Sequence, residues 1–264
     1  LSQELSVPRG QIESAVRLMD EGNTIPFIAR YRKEQHGSMD DTALRTLEDR
    51  LSYLRNLDQR RQEVKNAIDG QGKLTDELSA AIASAATLAE VEDLYRPYKQ
   101  KRRTRATIAR EKGLEPLARL LSAQGPAVDP RQAALDFLDP DKGVETAEDA
   151  LQGASDILAE EISDDADIRR ELRQLYLRRG VLASRAAAKE PEDTVYRLYY
   201  DFDQSVAKLA DHQILAINRG EKEEKLKATV LLDRDLALPL LRRAVVKPGS
   251  TAMEFVKAAA EDAY

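Results

Sequence analysis

From Asp40 to Gly70 the chain reads DDTALRTLEDRLSYLRNLDQRRQEVKNAIDG, in which Leu44, Leu47, Leu51 and Leu54 recur at three- and four-residue steps and Val64 and Ile68 extend the stripe. That spacing stacks apolar side chains on one face of an α-helix. Either Asp40 or Asp41 can cap the start, and Gly70 marks the end. Between the apolar positions lie Arg45, Glu48, Asp49, Arg50, Arg55, Arg60, Arg61 and Glu63, which read as a solvated, ion-paired face. Composition carries the helical expectation to the rest of the chain. Charged residues make up 33%, aromatics only 5%, tryptophan is absent, and Ala, Leu, Glu and Arg abound. The expected fold class is mainly α: a multi-helical scaffold with at most a short β element near 226–232, where LKATVLL has the branched residues and alternation of a strand.

Upstream of the long helix, Ile12, Ala15, Val16 and Met19 mark an amphipathic helix from Pro8 to Glu21, stopped at Gly22. The stretch NTIPFIARYRKE follows, with Pro26 suited to a first turn. It is expected to turn Ile25, Phe27, Ile28 and Tyr31 inward, leaving Arg30, Arg32 and Lys33 to reach the acids Asp40, Asp41, Glu48 and Asp49. Downstream, LTDELSAAIASA and TLAEVEDLYRPY predict two short helices broken at Pro97. Short helices continue through VETAEDALQGASDILAEEI, a long helix is expected from Asp164 to Ala188 with Pro191 as its stop, and further helices run up to Gly220. TAMEFVKAAAEDAY reads as a last helix without a cap, so the chain is expected to be a piece of a longer protein.

Several chemistries find no support. The chain has no cysteine, which removes disulfides, thiolate metal sites and cysteine nucleophiles and suits a reducing, cytoplasmic setting. No apolar run approaches the ~18 residues of a membrane span. No phosphate-binding glycine loop or serine elbow appears, and His36 and His212 stand far apart, as surface or capping residues. Asp201 and Asp203 in YYDFDQ could pair on a metal, although Asp203 before SVAKLA is also a natural helix cap. With a net charge of −6, any contact with nucleic acid must come from a local patch. The strongest candidate is YRPYKQKRRTRATIAR, with Lys99, Lys101, Arg102, Arg103, Arg105 and Arg110. These cations either touch phosphates or an acidic protein, or form a solvated loop paired with the acidic helices.

Three separated stretches, NTIPFIARYRKE, EDLYRPYKQKRRTRATIAREKGLEPLA and HQILAINRGEKEEKL, resemble the N-terminal half of the Tex family of bacterial transcription accessory proteins, in the family's order and across essentially the whole chain. The family has a eukaryotic relative in the Spt-class elongation factor and histone chaperone. The resemblance implies a helical domain over 1–190 with a helix-turn-helix-like part. It implies a helical connector with a short strand over 191–264, leading into a YqgF-type ribonuclease-H-like domain absent from this chain. Helix-hairpin-helix elements and an OB-fold RNA-binding domain follow in the full protein. The implied role is a non-enzymatic scaffold without cofactor, helping the intact protein engage RNA or DNA and the transcription machinery. The alternatives are a protein-interaction scaffold that docks RNA polymerase, other transcription factors or downstream domains, and support for a YqgF-type nuclease.

Overall fold

Fifteen α-helices and one three-stranded sheet make up the described residues of the computed structural model, which are 1–37, 39–126, 128–188 and 194–264. Contacts divide the chain into two compact units, Leu1–Tyr95 and Arg96–Tyr264. The division expected at 190/191, and Pro191 as a helix stop, lie outside the described residues.

The first unit contains α1 (Ser2–Leu5), α2 (Arg9–Asp20), α3 (Ile25–Tyr31), α4 (Lys33–His36), α5 (Asp41–Asp69), α6 (Asp76–Ser84) and α7 (Leu88–Tyr95). Asp40 caps α5 by accepting from the Ala43 N–H at 2.7 Å, and the helix runs 29 residues, about 44 Å. Its stripe divides its packing. Leu44 and Leu47 close a core with Ile12, Ala15, Leu18, Ile25 and Ile28, while the helix's later turns pack against α6 and α7. The charged face pairs with other helices as the spacing predicts: Arg50 with Glu4 at 2.8 Å, Arg55 with Asp20 at 2.7 Å and Arg60 with Glu92 at 2.6 Å.

NTIPFIARYRKE is helical, with Ile25 and Ile28 buried, but Tyr31 is 56% exposed. The inner place beyond Ile28 is taken by His36, which is fully buried and donates from Nε2 to the Ile28 carbonyl at 3.0 Å; the expectation of a surface or capping histidine fails here. Tyr31 instead stacks beside half-buried Phe27, and the Arg32 guanidinium lies over the Phe27 ring at 5.2 Å. The acids expected to answer these cations are used locally, Asp40 as a cap and Asp41 on Arg45 at 2.7 Å.

The second unit begins with α8 (Arg105–Glu111), α9 (Glu115–Ala123), α10 (Pro130–Ala134), α11 (Ala147–Asp164) and α12 (Ala166–Arg179). The sheet strands β1 (Val181–Ala186), β2 (Asp201–Ser205) and β3 (Leu226–Leu231) follow, together with α13 (Asp211–Lys222), α14 (Arg234–Val245) and α15 (Met253–Ala263). Helix α11 is the hub, packed by α8, α9, α10 and α15. Small residues permit this: Ala106 and Ala109 of α8 meet Ala150, Gly153 and Ala154 of α11, and a Cβ on Gly153 would lie 2.3 Å from Leu114 Cδ1.

The helix expected over 164–188 is divided. Asp165 caps α12 by accepting from the Ile168 N–H, and the chain then leaves the helix at Gly180, where any Cβ would stand 2.4 Å from the Tyr176 carbonyl oxygen. The alanine-rich tail becomes β1, the central strand of an antiparallel sheet ordered β2-β1-β3, because pairing with two distant strands outweighs its local helical preference. The strand expected near 226–232 is β3. It is an edge among the described residues, and the Ala228 N–H on its outer side donates to Glu221 Oε1 of α13 at 2.8 Å.

Candidate nucleic-acid interface

The basic segment enters the second unit as a 3₁₀ turn, Arg96–Tyr98, runs without regular structure to residue 103, and is captured by α8. Thr104 is the cap: its hydroxyl accepts from the Thr107 N–H at 3.0 Å and donates to Glu160 Oε1 at 2.9 Å. What holds the segment is a ladder of acids on α11. Asp156, Glu160 and Asp164 follow each other at four-residue steps, hence on one helix face, and the segment's cations fold onto them.

The six candidate cations fall into three groups. Lys101 and Arg110 are built into the ladder. Lys101 binds Asp164 and lies 3.4 Å from Glu160, and Arg110 binds Glu160 at 2.6 Å and Glu161 at 3.8 Å. Both carboxylates are largely shielded, with Asp164 9% and Glu160 16% exposed in their side chains, so loss of either partner strands a charge in poor solvent. Arg103 pairs with Glu111 at 2.7 Å, and Arg105 with Asp262 at 2.7 Å and Asp156 at 3.4 Å, but both guanidinium groups remain about two-thirds exposed. Such pairs contribute about 0–1 kcal/mol and exchange readily. Lys99 and Arg102 are exposed and meet no carboxylate among the described residues. Pairing with acidic helices is one of the two readings the sequence offers, but it does not say which acids pair, and Arg96, outside the six candidates, donates from Nε to Asp164 at 2.9 Å. The four-residue spacing of the acids was a usable signal for a face of α11, whereas Asp262 carried none.

The ladder polarises its own acids. Burial pushes Glu160 up, but hydrogen bonds from Arg110 and Thr104 and the charges of Lys101 and Arg110 prevail and hold it below the usual carboxylate range. Next to it, partial burial, helped by the Glu115 carboxylate, pushes Glu161 up against the pull of Arg110.

Asp201 and Asp203 do not form an open metal pair. Both lie on β2, and Arg185 of β1 reaches across to Asp203 with two hydrogen bonds of 3.0 and 2.8 Å and to Asp201 at 3.4 Å. Asp203 is therefore a strand residue rather than a helix cap, since the extended chain is held in register with Leu182–Ser184. His212 is exposed on α13. Among the described residues no helix is long and apolar enough to cross a membrane.

Two family models match the chain, the Tex-like protein N-terminal domain over residues 1–69 and the Tex central region-like model over 125–257. The chain is 46% identical to Protein tex of Bordetella pertussis, over 95% of the chain and 32% of that protein. It is 44% identical to the Transcriptional accessory protein Tex of Neisseria gonorrhoeae, over 84% of the chain and 29% of that protein. It is also 33% identical to human S1 RNA-binding domain-containing protein 1, over 87% of the chain and 24% of that protein. The chain spans about a third of the length of the curated relatives it matches.

Proposed function

This chain belongs to the Tex family, and on that premise we propose that it is a non-catalytic helical scaffold of a cytoplasmic transcription accessory protein, presenting a pre-folded cationic loop to nucleic acid. The observation that carries this reading is the sorting of the loop's charges. Lys101 and Arg110 fix the loop on α11, which leaves Lys99 and Arg102 open and Arg103 and Arg105 loosely paired within seven residues of one another. A loop already ordered loses little conformational entropy on meeting a phosphate backbone. The printed names of the relatives, a transcriptional accessory protein and an S1 RNA-binding domain protein, support the same setting. Arg185 occupies the Asp201 and Asp203 carboxylates, which favours a role without catalysis.

The test is fluorescence anisotropy of labelled single-stranded RNA and DNA against the chain over a salt series. Neutralising Lys99 and Arg102 together should lower the salt slope by about 1.4, at ~0.7 per phosphate contact on single strands. An unchanged slope, or binding lost only with Lys101→Met, sinks the contact. Metal-dependent cleavage abolished by Asp201→Asn overturns the non-catalytic role. A second reading, a scaffold docking RNA polymerase or other parts of the longer protein, is favoured by the engagement of Lys101 and Arg110 inside the fold.

A further inference from the structure

Helices α12 and α14 pack side by side and leave between them a solvent-open groove of about 680 Å³. Its lining has two characters. Leu175 and Leu240 are half-buried within it, with Leu236 37% exposed and Pro239 exposed, and together they give an aliphatic base. Arg178 and Arg243 are exposed at the same opening, Arg170 joins them two turns back along α12, and Glu171 lines the groove beside them.

Charge is concentrated here. Three arginines line the groove, Arg170 and Arg178 of α12 and Arg243 of α14, against the single acid Glu171, in a chain whose net charge is −6. Intramolecular pairing answers only part of it. Arg170 binds Asp167 at 2.8 Å and Arg243 binds Glu171 at 3.1 Å, every partner at least half exposed, so both pairs are weak and exchangeable. Arg178 donates from Nε to the Gln174 carbonyl at 3.1 Å and has no carboxylate within ion-pair reach among the described residues. An aliphatic trough bordered by cations matches an amphipathic helix whose apolar side chains recur at i, i+3 or i+4 and i+7 and whose flanks are acidic. A nucleic-acid strand fits less well, because no aromatic ring lines the groove for a base to stack on.

We propose that the α12–α14 groove is a docking site for an acidic amphipathic helix of a partner protein, with Leu236 and Leu240 receiving its apolar face and Arg178 and Arg243 its carboxylates. The site is independent of the loop at residues 99–105, and its success or failure is read separately from that of the loop.

The probe is a fluorescein-labelled, stapled helical peptide of about 16 residues, long enough to hold its helix, with Leu at helical spacing and Glu on the flanks. Three controls accompany it: the same composition with the leucines scrambled, the same spacing with Lys for Glu, and an oligouridine of about 12 nucleotides. Anisotropy titrations use the full chain, Arg178→Glu and Leu236→Gln. Both substitutions lie on exposed side chains, and matched circular dichroism confirms that the variants fold. The expected result is binding of the acidic helix alone, weakened about tenfold by Arg178→Glu and about fivefold by Leu236→Gln, with Lys99 and Arg102 variants binding as the parent does. The proposal is overturned by absence of peptide binding, by equal affinity for the scrambled peptide, by binding indifferent to both groove variants, or by an oligouridine that displaces the peptide and is itself weakened by Arg178→Glu.

Discussion

Asp164→Ala tests whether the cationic loop is held by α11 or merely lies near it. The substitution removes the acceptor of one hydrogen bond from Arg96 Nε at 2.9 Å and of a second from Lys101 Nζ, at a residue that is 6% exposed. Hydrogen bonds to charged groups contribute about 1.5–3 kcal/mol each, and breaking a fully buried pair costs about 3–5 kcal/mol. Solvent reduces both figures. Arg96 is 45% exposed and regains water, and Lys101 keeps Glu160 at 3.4 Å, so about 2 kcal/mol is the expected loss. At 1.4 kcal/mol per tenfold, that is about a 30-fold increase in local opening. Native-state amide hydrogen exchange reads it directly at Thr107 and Ile108, whose N–H groups bond to Thr104, without requiring two compact units to unfold together. The double substitution Arg96→Ala with Asp164→Ala should reveal a coupling of about 1 kcal/mol. Exchange at these amides within about twofold of the parent would refute the anchoring, and with it the division of the cations into fixed and open groups.

The two adjacent acids of α11 predict opposite pH responses. Glu160, held below its ordinary 4.5, contributes stability that is present above that pH and lost as pH falls through its folded value, so Glu160→Gln should flatten the acid limb of unfolding followed by circular dichroism between about pH 5 and 3. Glu161, pushed up, opposes folding once ionised, so Glu161→Gln should stabilise at neutral pH and lose that advantage below 4.5. His36→Ala removes one of two donors to the Ile28 carbonyl, which keeps the Arg32 N–H at 3.1 Å, and leaves a hole beside Ile28, so it should destabilise the Leu1–Tyr95 unit by about 2 kcal/mol in hydrogen exchange of α2 and α3. Gly153→Ala should destabilise by about 1 kcal/mol in urea unfolding, because overpacking against fully buried Leu114 outweighs the helix-propensity gain, whereas Gly10→Ala, with nothing within 4 Å, should be neutral or stabilising.

The long helix, the strand at 226–231 and the helical character of NTIPFIARYRKE were legible because each is written locally, in a 3.6 or 2 period and its capping residues. β1 and β2 were not. VLASRA becomes a strand between DFDQS and β3, and DFDQS through VLASRA, partners 16 to 50 residues away, and no local period encodes that. Helix α14 is not among the elements expected from the sequence, and it holds Pro239, a residue unfavourable in a helix interior, within its span. The candidate interface was half visible. Its cations stand in one run of sequence, but the acids that decide which of them are free lie on α11 and α15, 50 to 157 residues away in the bonds from Arg96, Arg105 and Arg110.

The Glu221 carboxylate on the outer side of β3 sets how wide the sheet can grow. Val230 and Leu231 are 44% and 52% exposed, and an apolar strand with an open edge is a template for the strand of another molecule. A newcomer aligning there would meet an amide already bonded, at Ala228, and a negative charge in the place its own carbonyl must occupy. At Ala228 the sheet edge is thus closed chemically, by a side chain borrowed from the neighbouring helix, and a strand from another molecule would have to displace that carboxylate before it could pair there.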